Sequence, residues 1–176
     1  MARRRAGRGS VGAAASHRAG VRPGGHPQPG QGVRTVTPAT PESPTDRVVH
    51  VSAAVVTDGA GRTLLVRKRG TERFMAPGGK PEPGESAAQA LARELHEELG
   101  VVVSPADLAY LGRFESDAAN EPGFRVLAEA FALTLDPRSV SAAAEIAEAR
   151  WLTPDEAAAL PLAPLSTEHL LPLTWG

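Results

Sequence analysis

The stretch SAAQALARELHEEL, residues 86–99, constrains the fold of this 176-residue chain more than any other. Ala88, Leu91, Leu95 and Leu99 recur at the spacing that lines them along one side of a helix, so the helix requires an apolar partner. Glu94, Glu97 and Glu98 occupy a different sector, an arc of roughly 100° on an ideal helix. A solvated face would alternate in sign, but no lysine stands between Arg93 and Gly100, and like charges one turn apart repel. Ser86 suits an N-cap and Gly100 the residue that ends the helix. Something outside the helix must therefore compensate its carboxylates.

The flanking segments predict a sheet for the helix to cover. VVHVSAAVVTD, from Val48, is apolar and β-branched, and RTLLVRK follows after a DGAG turn, which predicts a hairpin over 48–68. GTERFMAPGGKPEPGE, residues 70–85, is a Gly/Pro-rich loop long enough to suggest a functional role. Beyond the helix, 101–117 reads as one or two strands, FRVLAEAFALTLD as another and EIAEARWLT as the last. PDEAAAL reads as a helix with proline in its first turn, and a short helix is expected around LSTEHLL. The fold class is α/β, with a mixed sheet and one long central helix.

Composition narrows the chemistry. Hydrophobic residues make up 41% of the chain, enough for a core, and no apolar run approaches the roughly 20 residues of a membrane span. Cysteine is absent, which excludes disulfides, thiol catalysis and Cys-bound zinc, and leaves oxygen or imidazole to hold any metal. That usage, with no secretory-type apolar stretch near the N-terminus, leads to the expectation of a cytoplasmic protein. Residues 1–46 carry seven Arg against Glu42 and Asp46 and hold eight Gly and six Pro, so they are expected to be a disordered tail. Residues 47–176 carry 12 Lys and Arg against 18 Asp and Glu. An acidic domain is not the footprint of a nucleic-acid groove, so no nucleic-acid partner is expected. The sequence leaves monomer and homodimer both open.

The string Gly79-x5-Glu85-x7-Arg93-Glu94-Leu95-x-Glu97-Glu98-x-Gly100-Val101 resembles the signature box of the Nudix hydrolase family without a departure. Seven fixed residue types and two apolar positions within 23 residues make the match specific. The resemblance implies an α/β/α sandwich over 47–165, with 166–176 as a C-terminal extension. It also implies a pyrophosphohydrolase that uses Mg²⁺ or Mn²⁺ and acts on a small nucleotide. Clustered carboxylates are hard oxygen donors suited to such ions, which independently fits the residues. By the resemblance, Glu94, Glu97 and Glu98 ligate metal, one of them a candidate base, and Gly79 lends its carbonyl. Arg93 orients a glutamate, and Glu85 supports the loop.

Outside the box, Glu145 stands six residues before Trp151, a spacing at which similar family members place a further ligand or base; Glu148 competes for that role. Arg67 and Arg69 would share a strand face and, with Lys80 and Arg125, are candidates to meet a phosphate. Phe74 is a candidate either for base stacking or for the core. Substrate class stays open among a nucleoside diphosphate linked to another group, in particular a (deoxy)nucleoside triphosphate, and an RNA 5′ end. A non-catalytic nucleotide sensor is the alternative outside enzymes.

Overall fold

The structure, a computed structural model, describes residues 47–175, so the expected tail lies outside the described residues. The strands are β1 (Val48–Thr57), β2 (Thr63–Lys68), the two-residue β3 (Gly78–Gly79), β4 (Ala109–Asp117), β5 (Arg125–Thr134) and β6 (Ile146–Leu152). They form one mixed sheet in the order β4-β5-β1-β2-β6, with β3 paired to β1. β1 and β5 run parallel from Val48↔Arg125 to Thr57↔Thr134, while β4–β5 and β2–β6 are antiparallel.

Residues of β1 alternate between two apolar layers. On one face Ala54 and Val56 join Leu64 and Val66 of β2 beneath Leu91, Leu95 and Leu99 of helix α1 (Ala87–Leu99). On the other, Ala53 and Val55 pack with Leu170, and Leu65 and Phe74 pack with Ala157 of α2 (Pro154–Ala158) and Leu171. Helical structure on both faces gives the expected α/β/α arrangement. Residues 166–175 form a π-helical turn, Ser166–Leu170, and the short helix α3 (Pro172–Trp175), with Leu170 and Leu171 buried against the sheet. Among the described residues no helix is long and apolar enough to cross a membrane.

Two expectations are made more definite. The segment 101–117 yields one strand, because Pro105–Asp107 turns as a 3₁₀ helix capped by the Ser104 side chain before β4 begins. The hairpin over 48–68 is closed only at its tip, where β1 meets β2 at Thr57↔Thr63 and Asp58 accepts from the amides of Ala60 and Arg62. Above the tip the strands part and the Gly/Pro-rich loop enters between them. Met75 exchanges both backbone hydrogen bonds with Val66 (2.8 and 2.9 Å), Ala54 donates to Pro77 O (2.9 Å), and Gly78 and Gly79 lie opposite Ala53 and Ser52. The parted strands leave buried ladder groups that need partners, and the loop backbone supplies them.

This insertion needs glycine. Gly78 sits at φ +141°, and a Cβ there would come within 2.1 Å of Ser52 O, which is backbone and cannot swing away. Gly78→Ala is therefore expected to cost about 3 kcal/mol or more through strain and the clash together. Chemical denaturation would measure this, and an unchanged midpoint would show that the wedge tolerates a side chain.

Candidate active site

The site begins with how α1 is fixed. Ser86 and Gln89 form a reciprocal capping box, and Gly100, at φ 70°, closes the other end by donating to His96 O. This sets the rotation of the helix and so the direction of its acids. Glu98 lies seven residues past Leu91, about 20° away on an ideal helix, so it follows the leucines inward. Its side chain is 1% exposed, which corrects the expectation that the three acids stand apart from the apolar side.

Two contacts hold the Glu98 carboxylate. Oε2 accepts from the Gly78 amide (3.0 Å), and Oε1 lies 3.1 Å from Lys68 Nζ without hydrogen-bond alignment. Burial raises the Glu98 pKa above the ordinary carboxylate range, opposed by Lys68 and the Gly78 N–H. Glu94 is packed against the loop backbone: a Cβ on Gly79 would come within 2.3 Å of its Cδ and Oε1. Only a residue without a side chain allows that approach.

Arg93 organises the remaining acids. Its guanidinium gives two bonds to Glu85 (2.9 and 3.0 Å), one each to Glu94 (2.9 Å) and Glu97 (3.3 Å), and one to Lys80 O (3.1 Å). That engages all five donors of the planar fork. Glu85 also accepts from the Glu82 amide (2.8 Å), tying the loop into a ring with the helix. The Arg93 hydrogen bond pulls the Glu85 pKa below its usual value, and the same bond pushes the Arg93 pKa upward.

Glu145 arrives from across the fold. Ser141 and Ala143 donate to Leu99 O and Glu98 O, so their loop hangs from the C-terminal end of α1. Ala144 turns it with φ 47°, and Arg69 N donates to Glu145 O (2.8 Å). The Glu145 carboxylate contacts Lys68 Nζ, and Lys68 thus bridges Glu145 and Glu98. Glu148 instead lies opposite Arg67 on the β2–β6 ladder and pairs with it (3.2 Å).

Several of these groups line a cavity of about 530 Å³. Its lining includes Glu94, Glu97, Glu145, Lys68, Gly79 and Lys80, the apolar Val49, Val51, Ala163 and Leu165, and Asp117 with Asn120 and Glu121 at the β4–β5 connection. Among the described residues, no three acids converge as they stand into a cluster ready to hold a metal ion. Arg93 engages Glu94 and Glu97, and Lys68 engages Glu98 and Glu145. The donor set nevertheless suits a hard divalent cation: the acids offer only oxygen, and the buried Glu98 Oε1 has no hydrogen-bond partner.

The remaining candidates divide. Lys80 lines the cavity. Arg67 does not: it bonds Thr71 O and Glu148 and lies over the Phe74 ring. Nor does Arg69, which is exposed beyond the end of β2, so the two arginines do not share a strand face. Arg125 pairs with Glu115 and Asp117, and Phe74 is core. Sequence reasoning missed Lys68. Its signal was present, since two-residue alternation from Leu64 and Val66 aims Lys68 at the α1 face.

Comparison with known proteins places this architecture. The NUDIX domain family model matches residues 46–173. An 8-oxo-dGTP diphosphatase of Haemophilus influenzae is 34% identical over 73 residues, covering 39% of this chain and 54% of that protein. An NAD-capped RNA hydrolase of Mycobacterium tuberculosis is 36% identical over 125 residues, covering 69% of this chain and 38% of that protein. The match thus spans about half or less of these relatives' length. The E. coli dihydroneopterin triphosphate pyrophosphohydrolase superposes with a TM-score of 0.54 at 26% identity, covering 64% of this chain and 85% of that one.

The Arg93–Glu85 pair generates a pH prediction. A carboxylate whose pKa is lowered by folding stabilises the fold above its unfolded value, and that stability disappears as pH falls through the folded pKa. Wild type should therefore be more thermostable than Glu85→Gln near neutrality. The gap should close progressively below about pH 4, where an unfolded glutamate begins to hold its proton. Melting curves of both proteins across that range check this; a gap independent of pH would mean that the pair's charge does not matter.

Proposed function

Because the chain belongs to the Nudix hydrolase family, we propose that it hydrolyses a pyrophosphate bond in a nucleoside diphosphate linked to another group, with a (deoxy)nucleoside triphosphate as substrate and Mg²⁺ or Mn²⁺ as cofactor. The observation that carries this reading is one cavity lined both by charged side chains, Glu94, Glu97, Glu145, Lys68 and Lys80 among them, and by apolar ones, Val49, Val51 and Leu165. A nucleotide carries the same two chemistries, in its phosphates and in its base. Two of the similar proteins bear names that specify triphosphates, 8-oxo-dGTP and dihydroneopterin triphosphate, which supports the choice of substrate.

Glu94, Glu97, Glu98 and Glu145, with the Gly79 carbonyl, would hold the cation. When bound, it would offset charge on the phosphoryl oxygens and favour an ionised water. In this reading the protein's own groups divide the remaining work. Arg93 fixes Glu94 and Glu97 so that little reorganisation is needed as charge develops. Lys80, 64% exposed and in a long 3.3 Å pair with Glu121, gives up little by turning to a phosphate. The proton released by the attacking water passes to a carboxylate. The half-exposed Glu97 and Glu145 are better placed to accept it than Glu98, which is buried and already bonded to Gly78 N. Val49, Val51 and Leu165 would take the base.

The test is turnover of a panel with Mg²⁺ and Mn²⁺: (deoxy)nucleoside triphosphates, ADP-ribose, NAD and 5′-triphosphorylated RNA, scored for released phosphate, pyrophosphate or mononucleotide. Triphosphates should be preferred. Turnover confined to RNA ends would overturn the substrate assignment, and no turnover with any metal would favour a binding module. Within the same assay Glu97→Gln and Glu145→Gln should each lower kcat about a hundredfold or more, as expected for loss of a base or ligand charge. Glu148→Gln should leave it within a few-fold, because its carboxylate points to Arg67. The reverse order for Glu145 and Glu148 would overturn the placement of the late acid.

A further inference from the structure

Lys68 holds an unusual position. Its ammonium lies among the acids that would ligate a divalent ion, 3.1 Å from the buried Glu98 and in contact with Glu145. It also lines the substrate cavity, with its side chain 24% exposed. Glu98 has one other partner, the Gly78 amide. Without Lys68 its carboxylate would be buried almost uncompensated, which is strongly unfavourable. A lysine and a divalent cation seeking the same two carboxylates are therefore competitors, because an ammonium and a metal ion cannot share the same oxygen lone pairs at contact distance.

Resting on the metal-site reading above, we propose that Lys68 is a built-in counter-ion that a divalent cation must displace. In the metal-free protein it stands in for the metal between Glu98 and Glu145. Once displaced, its amine is released into the cavity that would take the phosphates, where it gains an anionic partner. Local structure favours such a swing. β2 ends at Lys68, which pairs with Ile146 after the register slips between Arg67 and Lys68, so the backbone is held while the ammonium turns on a flexible, partly exposed four-carbon stem. Arg93 differs in kind: its five bonds include Glu85 and Lys80 O, which would remain whatever happened to Glu94 and Glu97. The Lys68 ammonium has the two acids alone as hydrogen-bonding or ionic partners. It is thus a positioning residue that lowers metal affinity in the empty enzyme and couples metal binding to phosphate binding.

The experiment measures Mn²⁺ binding to the substrate-free protein by the electron paramagnetic resonance of the free ion. Lys68→Met should bind Mn²⁺ about tenfold more tightly than wild type, a change of about 1.4 kcal/mol. Lys68→Arg keeps the competing charge and should stay near wild type. The same variants follow opposite melting trends: Lys68→Met should melt lower than wild type without metal and regain the difference with Mn²⁺. A further readout needs no substitution. Acylation of the Lys68 amine in the wild-type protein, located by peptide mass, should rise when Mg²⁺ is added. Equal Mn²⁺ affinity in wild type and Lys68→Met, or labelling that does not rise with Mg²⁺, overturns the displacement while leaving the metal site standing. Failure of wild type and both variants to bind Mn²⁺ overturns the metal site and the displacement together.

Discussion

Mutual repulsion among carboxylates is the constraint on which the rest of the structure depends. Four acids stand near one corner of the fold as two pairs, Glu94 with Glu97 and Glu98 with Glu145, and each pair is bridged by its own cation. Arg93 and Lys68 do this differently. Arg93 is a planar fork whose five donors fix loop and helix in one geometry, while Lys68 is a compact charge on a flexible stem. A rigid cation suits acids that must be held in place, and a mobile one suits acids that must change partner.

The electrostatics would be ineffective without the close backbone approach that brings the loop to the helix. Opening the β1–β2 hairpin above Thr57↔Thr63 creates a slot, and Met75–Gly79 fills it with hydrogen bonds to both strands. Gly78 thereby presents its amide to Glu98, and Gly79 lies against the Glu94 carboxylate. Folding and function use the same contacts: the amide that satisfies a buried carboxylate belongs to the loop that positions the neighbouring acid. The fit leaves no room for a Cβ at either glycine, which explains why a segment rich in Gly and Pro is nonetheless well packed.

Much of this was legible in the sequence, for local reasons. The helix announced itself by the leucine spacing and by both caps, Ser86 and Gly100, because capping is settled within a few residues. The strand–loop–helix order and the mixed sheet followed from apolar runs and turn residues. What could not be read was set by distant partners. The opened hairpin depends on a loop about twenty residues further on filling the slot. The burial of Glu98 depends on Lys68 and Gly78 converging on it from two other elements. Arg67 and Arg69 misled because strand alternation assumes that the strand continues, and β2 ends at Lys68 with its register shifted. Spacing before Trp151 favoured Glu145 over its competitor Glu148 in one dimension; a left-handed Ala144 and a loop hung from the end of α1 separate them in three.

The way that loop is hung links the acids, the fold and the cavity. Ala143 bonds the main-chain carbonyl of Glu98, and Lys68 meets its side chain, so one residue of α1 anchors both the loop carrying Glu145 and the cation beside it. A movement of Lys68 away from Glu98 would free Glu145 without releasing its backbone, which Arg69 N holds in place. The acid could then re-aim by side-chain rotation alone, at the cost of rotamer entropy and not of refolding. A site built this way can change its occupant on the timescale of side-chain motion, while the sheet, the wedge and the capped helix that define its geometry stay still.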